Sequence, residues 1–177
     1  MFARHFIDSL DFAHNGGELH GVAPLSEMPR LLDLLAIPET AHESGSSGEI
    51  SFFVSGLPNV NGKPMLEVTV NGACQLRCQR CLGSFTHPIN LVSRLLLARA
   101  GEIDEFSVEE DDEVDSIVAE KRLDVLNMIE EEILLSLPFA PKHPLGDCKP
   151  AVELTQASKH PFAALEGLKN LSGFKIK

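Results

Sequence analysis

Three of the chain's four cysteines lie in one short stretch, Cys74-Gln75-Leu76-Arg77-Cys78-Gln79-Arg80-Cys81-Leu82-Gly83; the fourth, Cys148, lies far downstream among prolines. Nothing else in the sequence constrains the fold as much. Cys78 and Cys81 form a C-x-x-C step, a turn that lets two sulfurs converge on one ion. Four thiolates meeting at one zinc would tie the middle of the chain to its C-terminal third. The candidate ligands are therefore Cys74, Cys78, Cys81 and Cys148. Cys74 also reads as a small buried core residue at the end of a strand; His87 or His143 then takes its place.

Three chemistries remain open for these thiols: a structural zinc site, a reduced cluster without metal, and a redox pair. A redox C-x-x-C usually opens a helix, whose N-terminus lowers a thiol pKa. Here Leu82-Gly83-Ser84-Phe85-Thr86-His87-Pro88 reads as turn and strand, so only Arg77 and Arg80 are at hand to stabilise a thiolate. A catalytic zinc keeps an open position, whereas four thiols favour a closed one. No H-E-x-x-H, P-loop, G-x-S-x-G or G-x-G-x-x-G pattern occurs, and no catalytic activity is expected.

Hydropathy patterning puts the cysteines between two strands. Leu66, Val68 and Val70 alternate with Glu67, Thr69 and Asn71, the period of a half-buried strand. The alternation continues through Gly72, Cys74 and Leu76 on the apolar side, with Gly72 and Gly83 as candidate kinks. A second run over 85–100 carries Ile89, Leu91, Val92, Leu95, Leu96 and Leu97. Cys78 and Cys81 thus fall at the end of a hairpin.

Upstream, residues 4–12 read as a first strand with Phe6 and Leu10 inward, and Leu19 to Ala23 as a short return strand. Ser26 caps a helix through Leu31, Leu32, Leu34 and Leu35 that Pro38 stops. Ile50, Phe52 and Val54 mark a strand of about six residues that ends at Gly56 and Pro58. Downstream, Ile117-Val118-Ala119 is a short strand. Residues 123–137 form the strongest helix: Asp124 caps it, Leu126, Ile129, Ile133 and Leu137 make its apolar stripe, and Glu130-Glu131-Glu132 make a charged patch.

A chain of this length buries roughly 70% of its unfolded surface, so one core suffices without metal. The expected architecture is α+β: a single domain over 1–150, with an antiparallel, barrel-like sheet, the 123–137 helix packed on it and a cysteine-rich hairpin end. An extended, partly helical C-terminal tail covers 151–177.

The formal net charge is −11, which opposes general nucleic-acid binding. Its distribution is uneven. Residues 102–132 hold fourteen Asp and Glu against Lys121 and Arg122, whereas 63–101 hold Lys63, Arg77, Arg80, Arg94 and Arg99 against Glu67 alone. The acidic run is either a solvated loop or a dock for a basic partner. Arg77 and Arg80 either solubilise the knuckle or contact RNA phosphates. The stretch from Met1 to Asp8 lacks the apolar run of a signal peptide, and no segment is apolar for long enough to span a bilayer. A cytoplasmic location with reduced thiols is expected.

With these residues in view, the chain resembles the YceD family, the large ribosomal RNA subunit accumulation proteins. The resemblance rests on Cys78-Gln79-Arg80-Cys81-Leu82 with Phe85-Thr86-His87, and on Asp124 to Pro138 leading to Pro141, His143 and Cys148. It extends to His160-Pro161-Phe162-Ala163-Ala164-Leu165 with Leu168 and Lys169, and to the early Pro29-Arg30-Leu31. It implies a non-enzymatic factor needed for accumulation of 23S ribosomal RNA, through its synthesis, processing or stability during large-subunit biogenesis. Cys78, Cys81 and Cys148 fall on the family's cysteine positions.

Two functional classes follow. In one, the zinc-pinned hairpin end contacts ribosomal RNA or a large-subunit precursor. In the other, the protein is an acidic adaptor or chaperone that holds a basic ribosomal protein without touching RNA. Neither needs a membrane or a small-molecule substrate.

Overall fold

The structure, a computed structural model, describes residues 4–36, 48–60, 63–99 and 114–148. Residues 1–3, 37–47, 61–62, 100–113 and 149–177 lie outside them, and with them much of the acidic run and the whole of the tail expected over 151–177.

In chain order the elements are β1 (Phe6–Ile7), α1 (Ser9–His14), β2 (Glu18–Pro24), a 3-10 turn (Leu25–Glu27), α2 (Pro29–Leu32) and β3 (Glu49–Val60). Then come β4 (Lys63–Arg77), β5 (Ser84–Ala98), β6 (Val114–Val118), β7 (Leu123–Asp124) and α3 (Val125–Ser136). The main sheet has the order β2-β3-β4-β5-β6, and β1 pairs with β7 separately. The fold is therefore α+β, as the patterning requires. Of the two expectations about the sheet, the antiparallel one holds for most pairings and the barrel-like one is not confirmed. The β5–β6 pairing is parallel, so the sheet is mixed; the stretch between Ala98 and Val114 is long enough for the crossover this needs. Among the described residues β2 and β6 end the ladder, so the sheet is open and no closed barrel is found.

The β4–β5 hairpin is the spine. It pairs without a shift from Met65↔Leu96 to Arg77↔Ser84. Its inward face buries Leu66, Val68, Val70, Cys74, Leu76, Ile89, Leu95 and Leu97, beside Ile50, Phe52 and Val54 of β3. Leu25, Met28 and Leu31, with Leu126, Ile129 and Ile133 of α3, complete the core. Gly72 is not a kink. A Cβ there would lie 2.8 Å from Ile50 Cγ2, so glycine permits close strand packing in an unbroken ladder.

Other local expectations give way to tertiary contacts. β3 runs through Gly56 to Val60, with a register shift between Leu57 and Val60. Gly56 does not stop the strand; it admits the end of α1, since a Cβ there would run into the Phe12 carbonyl oxygen. Residues 4–12 are not one strand. After Ile7, the Asp8 side chain accepts from Asp11 N–H (3.2 Å) and caps α1. Phe6 is 44% exposed, its ring under the Arg122 guanidinium at 4.4 Å. The Ser26 to Leu35 helix contracts to α2, and Leu35 forms a bridge with Leu76.

The helix expected over 123–137 is present as α3, with Asp124 Oδ1 accepting from Leu126 N–H and Asn127 N–H. Its glutamates do not form a surface patch. Glu130 and Glu132 are 3% and 7% exposed. Glu130 accepts from Arg30 Nε (3.1 Å) and from Leu31 N–H (3.0 Å), and Arg30 also donates to Asn127. Burial pushes the Glu132 carboxyl up, against a hydrogen bond with Ser93 that pulls it down; Asp115 and Glu131 add to the rise.

Candidate metal centre

β4 and β5 end in register at Arg77↔Ser84, which leaves residues 78–83 as a tight knuckle. Cys78 N–H donates to Gly83 O and Leu82 N–H to Cys78 O, both at 2.9 Å. The turn carries Leu82 at φ 61°, a left-handed conformation unusual for leucine. Arg80 N–H points at Cys78 Sγ (3.4 Å). This is how a C-x-x-C turn aims backbone dipoles at its first sulfur. Beside the knuckle, where β3 has ended, Ala36 N–H donates to Gln75 O (2.8 Å). The base of the site is therefore held from the α2 side as well.

The second half of the site comes from the chain after α3. Pro138, Pro141 and Pro144 prevent helix continuation and keep the segment extended. It docks on the knuckle through Gln79 N–H to Pro141 O (2.8 Å). His143 stacks at a tilt on Phe85 of β5, ring centroids 5.0 Å apart, and turns Nδ1 toward Cys81 Sγ at 3.4 Å. Cys148 Sγ lies 3.6 Å from Cys78 Sγ and 3.8 Å from His143 Nδ1. The ligand atoms of Cys78, Cys81, His143 and Cys148 all fall within 4.8 Å of one another.

These spacings fit one tetrahedral ion. With Zn–S near 2.3 Å and Zn–N near 2.0 Å, ligand atoms of a tetrahedron stand roughly 3.5–3.8 Å apart. A disulfide would need about 2.05 Å between sulfurs, and all four cysteines are free. Thiolate and imidazole donors suit zinc.

Electrostatics points the same way. Burial pushes the Cys78 thiol up, but the backbone N–H groups of Cys81, His143 and Arg80, with the His143 ring, outweigh it and bring the thiol to about 5. Cys148 is opposed by burial too, yet the Arg80 side chain leads the interactions that draw it down. Cys81 goes the other way. The Gly83 N–H favours its thiolate, but Cys148, burial and Cys78 together hold the thiol up. His143 is raised, first by Cys78. Three thiolates so close together would repel, and a dication at their centre would remove that repulsion.

The structure thus brings together three of the four expected cysteines and the alternative histidine. Cys74 is not with them. It faces the core on β4, buried, paired in register with His87, and burial raises its thiol to about 11. His87 stays on β5 at the edge of Phe85, ring centroids 6.4 Å apart. Arg77 ends β4 and is exposed. Arg80 is exposed too, but its side chain interacts first with Cys148, which makes it a counter-charge to the thiolates. The cue for His143 was its place in the proline-held segment that carries Cys148.

A family model described as large ribosomal RNA subunit accumulation protein YceD matches residues 66–169, a span that contains all four clustered residues. No curated protein and no solved structure matches the chain.

Proposed function

The chain belongs to the YceD family, and from that premise we propose that it is a non-enzymatic factor supporting the accumulation of 23S ribosomal RNA during large-subunit biogenesis. The match over 66–169 carries this reading. Within it, Cys78, Cys81, His143 and Cys148 hold a structural zinc. A bound zinc supplies charge neutralisation and a cross-link between distant segments. Four side-chain donors complete a tetrahedron and leave no open position for a substrate, which supports a structural role over a catalytic one. The protein's own part is to fix the Pro141 and His143 segment on the knuckle and so give the hairpin end one shape.

Two measurements test this. Elemental analysis should find one zinc per chain in the parent and none in Cys148→Ser; equal metal in both would remove the assigned ligand set. The parent should also cosediment with large-subunit precursors at low salt and leave them as salt rises. Absence from precursor particles at low salt would remove the functional reading itself.

The net charge of −11 favours a second reading, an acidic adaptor that holds a basic ribosomal protein without RNA contact. Arg77→Glu separates the two. RNA association falls under the first and is unchanged under the second. Arg80 is the poorer probe, because its reversal also removes the counter-charge of Cys148.

A further inference from the structure

The four clustered donors make two contacts across the same junction. In the first, Cys81 Sγ lies 3.4 Å from His143 Nδ1. Gly83 packs against both, since a Cβ there would lie 3.5 Å from that sulfur and 3.6 Å from His143 Cε1. In the second, Cys78 Sγ lies 3.6 Å from Cys148 Sγ. Each contact joins the knuckle to the proline-held segment, but only the second can become a covalent bond. Its sulfurs have to close by about 1.5 Å to reach disulfide length, and the bond would tie positions 70 residues apart. The two sulfurs also differ in access. Cys78 is buried, whereas Cys148 is partly exposed and has the Arg80 side chain beside it. Cys81 is partly exposed too, but its sulfur faces His143. A reachable thiol next to a cation, backed by a second thiol that solvent does not reach, is the arrangement of an attacking cysteine with its resolving partner.

We propose that the metal centre is a peroxide-responsive clasp, in which hydrogen peroxide joins Cys78 to Cys148, zinc is released and the segment stays fastened to the knuckle. This rests on the reading of the four donors as a zinc site and names what regulates that site. The Cys148 thiolate attacks peroxide: an S–O bond forms, the O–O bond breaks and hydroxide departs. The Cys78 thiolate then attacks the Cys148 sulfur: the S–S bond forms, the S–O bond breaks and a second hydroxide departs. Both hydroxides take protons from solvent and become water. The two sulfurs together lose two electrons, and peroxide gains them. Cys81 and His143 remain, two donors where a tetrahedral site needs four. The cross-link outlasts the metal, because the new bond spans the same two segments. A disulfide between Cys78 and Cys81 would do the opposite. It would stay within the knuckle and let the segment go.

The test treats the full-length, zinc-loaded protein with graded hydrogen peroxide. Free zinc is read with a chromogenic chelator, and disulfides are mapped by mass spectrometry without reduction. Peptides containing Cys78 and Cys148 should be linked, with about one zinc released per disulfide, and reductant with added zinc should reverse both. Cys74, buried on β4, should stay a free thiol. In hydrogen exchange the Gln79 amide, which donates to Pro141 O, should stay slow in the oxidised protein and become fast in the reduced protein after chelation. Cys81→Ser keeps the pair, so the same linkage should form in that variant even where its zinc is lost. A Cys78–Cys81 linkage in the parent overturns the proposal, as does fast Gln79 exchange in the oxidised protein. Thiols that stay reduced at every dose overturn it as well. Zinc content before treatment is scored separately. Its absence alongside the Cys78–Cys148 linkage would sink the metal reading and leave the disulfide clasp standing.

Discussion

Two of the junctions that join segments far apart in sequence use opposite materials. Where α3 meets α2, Ile129, Ile133 and Leu126 bury against Met28 and Leu31, and one carboxylate, Glu130, accepts from Arg30 and from Leu31 N–H. Where the proline-held segment meets the knuckle, sulfur and nitrogen donors face each other and large hydrophobics point outward. The first junction is held by removing apolar surface from water. The second gathers three cysteine sulfurs and one histidine nitrogen that could hold a metal ion. The lesson is that core and hairpin end use different means: one is stabilised by burial, and the other presents a donor set that could hold a metal ion.

Chelation sets the two furthest apart. Removing zinc should let the Gln79 amide and the segment around His143 exchange hydrogen quickly, while amides of β3 and β4 stay protected. Global melting of the sheet on chelation, seen by the same hydrogen-exchange experiment, would erase the separation. Next in size is Ile129→Ala, expected to cost about 2–5 kcal/mol in urea unfolding with zinc content unchanged. Loss of the metal in that variant would mean that the two junctions form as one unit.

Glu130→Ala should cost less, about 1–3 kcal/mol, because it leaves Leu31 N–H unsatisfied while the Arg30 side chain, 45% exposed, returns to water. A neutral result would place the strength of the α2–α3 junction wholly in its apolar contacts. The smallest effect belongs to Glu132. Its folded-state pKa is raised, by burial first. A raised carboxyl favours the folded state when protonated, and that contribution is lost as pH rises through the folded value. Glu132→Gln should therefore raise the melting temperature slightly at neutral pH, with the gain shrinking as pH falls through the carboxylate range. A gain that does not change with pH would show that the charge is not its cause.

Much of this was legible in the sequence because it is periodic. The alternation from Leu66 to Leu76 gave β4 its inward face, and the spacing of Leu126, Ile129 and Ile133 behind Asp124 gave α3. The same alternation already set Cys74 on the apolar side. Counting cysteines made it a ligand, and the strand face made it core. His143 stayed an alternative because nothing local says which way a proline-held segment turns. Glu130 and Glu132 read as solvent-facing because three acids in a row usually are. Arg30 and the Leu31 N–H, about a hundred residues away, account for Glu130, and no pattern within α3 could show it. Whether the sheet closes was not legible, because alternation defines strands without saying whether the last pairs with the first.

The order in which the ligands are made also matters. Cys78 and Cys81 leave the ribosome well before His143 and Cys148, which follow by 62 and 70 positions from their partners. At roughly 5–20 residues per second, the site stays half-built for several seconds, with two sulfurs and no tetrahedron. A chain cut short before His143 can never complete it. The four donors come together only in a polypeptide that has been carried through to Cys148.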